Sequence, residues 1–571
     1  MNPPASNAPK NQVIFWFSLS LAFAMLYSLI ALEEAFSNQY IVQDDARQHV
    51  FWMQRFFDPS LFPDDLIANY FQSVAPAGYT TLYRLIAFVG IHPLLLNKLL
   101  PMVLGLITTS YCFRLCLQML PIPAAGFIAS LLLNQTLWML DDLVSATPRA
   151  FIYPLLLAFL YYLSRRSLIP CLVVITLQGL FYPQCVFLCC GVLVLKLLRW
   201  REGRVRLSSQ KNDYWFCAAG LGVAFIVLLP YALSTSDYGP IISAQQAKTM
   251  PEFQPGGRVA FFDQNPWDFW LEDARSGVFP RRKHLPIAVC AGLLLPILLR
   301  FPSWLPLVKK VTGETVLLTQ LALVSLGMFI MAHAVLFRLH LPSRYSKHSL
   351  RIVLVLAAAI AITLLLDAII QACQRLASPR IQGKPVLGRA IVTLVGIALI
   401  LSPLGFHNFP KTNYEVGREH ALYEFFAKQP NDILIASLSK EADFLPTFSG
   451  RSILVSREYG IPYHTNYYNQ FRNRAIDLIQ AQYSPNLAEV KQFIRQYDMD
   501  FWLLDKEAFN PQYISENRWI MQYQPVAAEA QARLKQAIVP AIVNVIDSCS
   551  VFETEKVVVL DTECIAITGN G

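Results

Sequence analysis

Hydrophobic residues in this chain gather in long runs rather than in the short alternating stretches of a soluble fold. Eleven runs fall at about 13–32, 93–115, 121–140, 143–163, 168–183, 184–199, 213–233, 285–300, 315–339, 350–370 and 389–405. Most approach the ~20 residues a helix needs to cross a bilayer, although 184–199 and 285–300 are short for it. A further apolar stretch, 76–91, is shorter still and carries Arg84, which predicts a helix lying at the interface. After residue 406 the pattern changes. ALYEFFAKQ and LAEVKQFIRQY have helical spacing, while DILIAS, SILVSRE, DFWLLD and KVVVLD look like strands. Such alternation predicts a small α/β domain. The expected division is a multi-span domain over 1–406 and an α/β domain over 407–571.

Composition sharpens the membrane reading. Apolar residues make up 54% of the chain and charged residues 15%, against roughly 25% charged in a soluble domain. The net charge of +8 is no sign of nucleic-acid binding, because the basic residues sit in short loops between apolar runs, where topology places them. Those loops carry Arg165 and Arg166, then Lys196 to Lys211, then Arg300, Lys309 and Lys310, then Arg375 to Arg389. A cytoplasmic N-terminus and about eleven spans put all four inside. The outer side then receives 33–92, the Asp141–Asp142 turn, a long loop at 234–284, a short loop at 340–349, and everything after 405. Nine of the eleven cysteines lie in or beside apolar runs as small packers. Cys549 and Cys564 lie in the polar C-terminal region, where a disulfide requires an extracytoplasmic location.

Charged residues on the outer side are the candidates for chemistry. QDDARQH places Asp44 and Asp45 directly after the first run, with His49 one helical turn beyond Asp45. Paired carboxylates can accept a proton from an attacking hydroxyl or hold a divalent metal with oxygen ligands. A solvated loop with helix-capping acids is the plain alternative. Asp141–Asp142 is a second acidic pair, followed by Arg149, which could pair with the acids or meet phosphate. The stretch RLHLPSRYSKHSLR breaks the positive-inside pattern with Arg338, Arg344, Lys347 and Arg351, plus His340 and His348. A basic cluster kept against that bias calls for an anionic partner such as a lipid phosphate. Arg281, Arg282, Lys283 and His284 form a blander basic run that caps a loop. Trp52, Phe56, Phe57 and Phe71 are expected to anchor interfacial helices. The Tyr- and Arg-rich stretch 459–474 could stack on sugar or pack a domain surface.

In layout the chain resembles the GT-C superfamily of integral membrane glycosyltransferases, which use polyprenyl-phosphate-linked sugars. The resemblance runs through YIVQDDARQH after the first span, the amphipathic FWMQRFFDPSLF, APAGYTTLYRLIAFVG at the surface, and NKLLPMVLGLITTSYCFRL crossing back. It covers about the first 200 residues, and a terminal extracytoplasmic domain is common in the superfamily. The family motif often reads Asp, Glu, Gly; here the second acid is Asp45, Ala46 replaces Gly, and Gln48 is followed by His49. Which of Asp44 and Asp45 matches the catalytic carboxylate stays open. The resemblance implies sugar transfer from a polyprenyl-phosphate donor to a glycan, lipid or protein acceptor on the outer face of the membrane. Asp44 or Asp45 would act as base, with Asp141 and Asp142 as substrate- or metal-binding acids. A divalent metal remains undecided. A multi-span transporter or lipid flippase, and a catalytically silent relative, are the rival readings. The expected location is a bacterial inner (plasma) membrane.

Overall fold

The computed structural model describes residues 9–201, 204–233, 236–281, 285–375, 384–406 and 408–568. Arg282, Lys283 and His284, and the 376–383 portion of the fourth basic loop, lie outside those residues.

The chain begins with α1 (Lys10–Ala35), β1 (Ile41–Gln43), the single-turn α2 (Ala46–His49) and a 3-10 stretch at Phe51–Phe56. Then come α3 (Leu66–Val74) and α4 (Ala77–Phe88). Asp65 caps α3 by accepting the Ala68 N–H at 2.6 Å, the ordinary use of Asp at a helix start. The bundle continues through α5 (Pro93–Met119), α6 (Pro123–Leu137), α7 (Ile152–Ser164), α8 (Leu168–Phe181) and α9 (Gln184–Lys196). A hairpin of β2 (Leu198–Arg201) and β3 (Arg204–Leu207) precedes α10 (Lys211–Leu233). Next are α11 (Ala244–Thr249), α12 (Leu295–Leu298), α13 (Val316–Ala334), α14 (Ser343–Arg375) and α15 (Lys384–Leu401).

This is an integral membrane protein with multiple apolar helices. Among the described residues, six helices are long and apolar enough to cross a membrane: Lys10–Ala35, Pro93–Met119, Lys211–Leu233, Gly313–Ala334, Ser343–Arg375 and Val386–Gly405. The other five apolar runs fold as shorter pieces. The runs at 121–140, 168–183 and 184–199 give α6, α8 and α9, of 15, 14 and 13 residues. The run at 143–163 opens with turns and a 3-10 stretch at Pro148–Phe151 before α7, and 285–300 is a 3-10 stretch at Ile287–Leu294 leading into α12. Proline marks the breaks: Pro123 and Pro148 sit in first helical turns, and Pro183 separates α8 from α9.

The first three basic loops meet at one end of the bundle. Arg166 reaches Gln210 at 3.0 Å and Asp213 at 3.5 Å, Lys196 pairs with Glu314 at 2.8 Å, and Thr312 bonds the backbone of Gln118 at 2.6 Å. The acidic pairs and the first turns of α14 share the other end. There the 340–349 segment is not the expected loop. Helix α14 begins at Ser343 and runs 33 residues, so Arg344, Lys347, His348 and Arg351 recur at the i, i+3, i+4, i+7 spacing of one helical face.

The C-terminal region docks on that same end. It contains β4 (Tyr414–Val416), α16 (His420–Ala427), β5 (Leu434–Ser437), α17 (Leu445–Phe448), β6 (Ser452–Ile453), α18 (Thr465–Gln482), α19 (Leu487–Tyr497), β7 (Phe501–Asp505), α20 (Pro511–Glu516), β8 (Ser550–Glu553) and β9 (Val557–Asp561). Its sheet has the order β6-β5-β7-β9-β8, with β5 parallel to both β6 and β7, and β9 antiparallel to β7. Cys549 and Cys564 form a disulfide. Strand β4 pairs antiparallel with β1, Ile41 opposite Val416, and so stitches the first loop to the C-terminal region. Tyr70 of α3 stacks on Tyr467 of α18 at a ring distance of 3.6 Å. The 459–474 stretch therefore spends Tyr459, Tyr467 and Tyr468 on buried packing. Trp52 and Phe71 are likewise buried instead of anchoring at the interface, while Phe57 stays exposed.

Candidate active site

The site grows out of the turn between β1 and α2. The β1–β4 pairing ends as the Asp44 N–H bonds the Asn413 carbonyl at 3.0 Å, which fixes the backbone of the first acidic pair. Asp45 opens α2, and the Gln43 side chain accepts its N–H at 2.9 Å. Across from it, the turn after α6 carries Asp141 and Asp142, and the Asn413 side-chain amide donates to Asp141 at 3.0 Å. One residue thus holds both acidic pairs in register.

Arg149, on the 3-10 stretch before α7, lies among three of these carboxylates. It forms a close ion pair with Asp45 and reaches Asp142 at 3.3 Å and Asp141 at 3.7 Å. Asp142 faces α14 as well, where Arg351 is 3.3 Å away and His348 3.4 Å away. Tyr153 of α7 completes that corner, bonded to Arg351 and, at 2.9 Å, to His348. The carboxyls respond differently. Burial would raise Asp45, but Arg149, then His49, Arg344 and Arg258, overcome it and hold the group below the usual carboxylate range. Asp142 is likewise held low against burial, by His348, Arg149 and Arg351. For Asp141 burial wins over Arg149, with help from the neighbouring acids, and the carboxyl is raised.

Asp44 turns the other way, toward the C-terminal region. It pairs with buried Arg47, whose guanidinium also meets Glu458 at 3.1 Å. Glu458 is the centre of a clamp: Gln48 donates to it at 2.5 Å and Arg258 pairs with it at 2.6 Å. Burial pushes the Glu458 carboxyl up to about 7, with Arg258 and Arg47 pulling against it. Sequence reasoning missed Arg47, Arg258 and Glu458. Arg47 lies inside QDDARQH and could have been weighed as a partner for its neighbouring acids; nothing local marks Glu458.

The basic stretch divides. Arg351 is buried and committed to Asp142 and Tyr153, and Lys347 is tied to the carbonyls of Glu272, at 3.2 Å, and Asp273. Arg338 is exposed, and its side chain makes no hydrogen bond or ion pair among the described residues. Arg344 is half-buried, its side chain also without a hydrogen bond or ion pair among the described residues, and its charge acts on Asp45, Asp142, His340 and Tyr182. His340 sits against Arg344, Arg275 and His49; burial, reinforced by those charges, lowers it to about 3 and keeps it neutral. His49 is lowered by burial too, despite Asp45.

These residues do not fit a divalent metal. The space between Asp45, Asp141 and Asp142 is taken by the Arg149 guanidinium, which supplies the compensating charge. Among the described residues no group of three or more His, Cys, Asp or Glu side chains has metal-holding geometry.

No protein-family model matches the chain, and no curated protein matches it by sequence. Solved structures do match. The apo crystal structure of the Archaeoglobus fulgidus oligosaccharyltransferase aligns with a TM-score of 0.53 at 11% identity, over 89% of this chain and 72% of that one. This chain shares the fold of that archaeal enzyme. The same archaeal enzyme tethered to an acceptor peptide with the NVT sequon gives 0.51 at 11% identity, over 90% and 72%. AglB from that organism, in complex with an inhibitory peptide and a dolichol-phosphate, gives 0.50 at 11% identity over the same shares. At this identity the likeness is one of fold, and it embraces both the helical bundle and the C-terminal region.

Proposed function

We propose that the chain is a glycosyltransferase that moves a sugar from a polyprenyl-phosphate-linked donor to an acceptor hydroxyl. The observation that carries this reading is a free carboxylate oxygen on Asp45, whose other oxygen is held by Arg149, at the same end of the bundle as an Arg344 side chain that makes no hydrogen bond or ion pair among the described residues. The archaeal structure with dolichol-phosphate supports a lipid-linked donor for such a fold. In this reading the shorter apolar helices complete crossings beside the six long ones, eleven in all, and the basic end lies in the cytoplasm. The acidic end and the α/β domain then face outward from a bacterial plasma membrane.

In this mechanism the donor phosphate lies against Arg344, with Arg338 at its approach. Asp45 accepts a hydrogen bond from the acceptor hydroxyl. Its second oxygen, Oδ1, has no partner among the described residues, while Oδ2 is held by Arg149. The acceptor oxygen bonds to the anomeric carbon as the bond from that carbon to the phosphate oxygen breaks. The electron pair leaves with polyprenyl phosphate, stabilised by Arg344, and the proton passes to Asp45. Attack from the opposite face inverts the anomeric centre. Asp44 holds Arg47 and thereby the loop; His49 and a neutral His340 line the sugar side. Asp141 and Asp142 fix Arg149 and Arg351.

The test uses purified protein in lipid nanodiscs with a panel of polyprenyl-phosphate sugars. Transfer or donor hydrolysis is expected, lowered by roughly 10²–10⁴ in Asp45→Asn and much less in Asp44→Asn. Arg344→Met should weaken donor binding. Equal loss in both Asp variants moves the base to Asp44; a panel neither bound nor consumed defeats the enzyme reading.

A further inference from the structure

The C-terminal region contains a crevice of about 580 Å³ that the proposed chemistry does not use. Its place in the sheet is informative. The chain leaves β5 for β6 on one side, then crosses to β7 on the other, so the strand order reverses between β5 and β7. Ligands of open α/β sheets bind outside the carboxyl ends of the strands at such a reversal. Here Leu438, Ser439 and Lys440 follow the end of β5, and Glu507, Asn510 and Tyr513 follow the end of β7; all six line the crevice. Asp505 ties the two lips together, accepting from Ser439 Oγ and Tyr513 Oη at 2.6 Å each.

The lining also defines the ligand. Lys440, Arg457 and Arg518 are matched by Asp443, Glu507 and Glu516, so neither anions nor cations are favoured as a class. Gln512, Arg457 and Arg518 side chains make no hydrogen bond or ion pair among the described residues, which leaves forked donors and acceptors pointing at no protein partner. Amide, guanidinium and carboxylate planes of this kind match the adjacent hydroxyls of a sugar ring, and Tyr513 and Trp519 add aromatic surface. A chain of hydrogen bonds and ion pairs links the crevice to the acidic cluster. Asp443 on its wall accepts the Glu458 N–H at 2.9 Å, and Glu458 holds Arg47, the partner of Asp44.

From this we infer that the crevice binds a neutral saccharide, and that this saccharide is part of the acceptor. The role as acceptor rests on the proposed transfer; the binding itself does not. The full chain in nanodiscs is titrated with neutral methyl glycosides and disaccharides, and with inorganic phosphate, by saturation-transfer NMR. At least one saccharide should bind saturably. Gln512→Ala and Arg518→Ala, both at exposed positions and folding as the parent does by thermal unfolding, should each weaken it about tenfold. Asp45→Asn should bind it unchanged while losing transfer, which separates failure of the binding site from failure of the chemistry. The inference is overturned if no saccharide binds, if only phosphate binds, if both crevice variants bind like the parent, or if Asp45→Asn alone abolishes binding.

Discussion

Arg149 decides more at this site than any other single side chain. Its 16% side-chain exposure, with three carboxylates around it, makes it a partly buried counter-ion whose loss strands like charges together. Arg149→Met should cost ~3 kcal/mol in chemical denaturation, and Arg149→Lys should recover only part, since an ammonium cannot fork to two acids. The same substitution should act on pH dependence. Asp45 is depressed in the folded protein, so it stays ionised above its lowered value and is neutralised, losing its share of stability and its proposed role as base, only as pH falls through it. The acid limb of kcat/KM should therefore lie below the ordinary carboxylate range, and should move up in Arg149→Met. Because the cation among these acids is part of the chain, transfer should survive dialysis against a chelator. The sequence makes Asp44, Asp45, Asp141 and Asp142 legible as two acidic pairs on one side, because topology alone puts them there. It leaves Arg149 open between acid partner and phosphate ligand, because its partner Asp45 stands 104 positions away in the sequence.

At the scale of elements, α14 is the instructive case. Hydropathy starts it near 350, where the apolar run begins, yet the helix starts at Ser343. The 344, 347, 348, 351 spacing was in the sequence; charge composition hid it by making the stretch look like a loop. Partner choice along that face was not readable, since Arg351 and Lys347 are claimed by Asp142 and by backbone carbonyls from elsewhere in the chain. The strands of the C-terminal sheet show the same limit. DFWLLD and KVVVLD are strands as their patterns indicate, whereas SILVSRE pairs over only Ser452–Ile453 and SVFE went unnoticed as too short and polar. Close packing on α14 gives a further test. A Cβ on Gly292 would lie 2.5 Å from the Leu354 carbonyl oxygen and 3.0 Å from the Ala358 nitrogen, backbone atoms that cannot step aside. Gly292→Ala should destabilise the bundle by about 1–3 kcal/mol, while Gly327→Ala, with nothing within 4 Å, should not. Thermal unfolding in detergent compares the two.

Over the whole molecule, the helical bundle and the C-terminal region are joined at the proposed site rather than beside it. The Cys549–Cys564 disulfide ties the far edge of the C-terminal sheet over a separation of 15 residues. Replacing both cysteines by serine should cost ~3 kcal/mol, and a thiol-reactive label should find these two positions only after reduction, if this region lies outside the cytoplasm. The β1–β4 pairing carries a different consequence. Gln43 and Thr412, in contact at 3.5 Å, are separated by 369 positions. At typical elongation speeds that gap takes on the order of half a minute to synthesise. Throughout that interval QDDARQH stands on the membrane without β4, without Asn413 to register its two acidic pairs, and without Glu458 to neutralise Arg47. The proposed site is thus incomplete at first, and is assembled only when the C-terminal region has been delivered to the same side of the bilayer as the first loop.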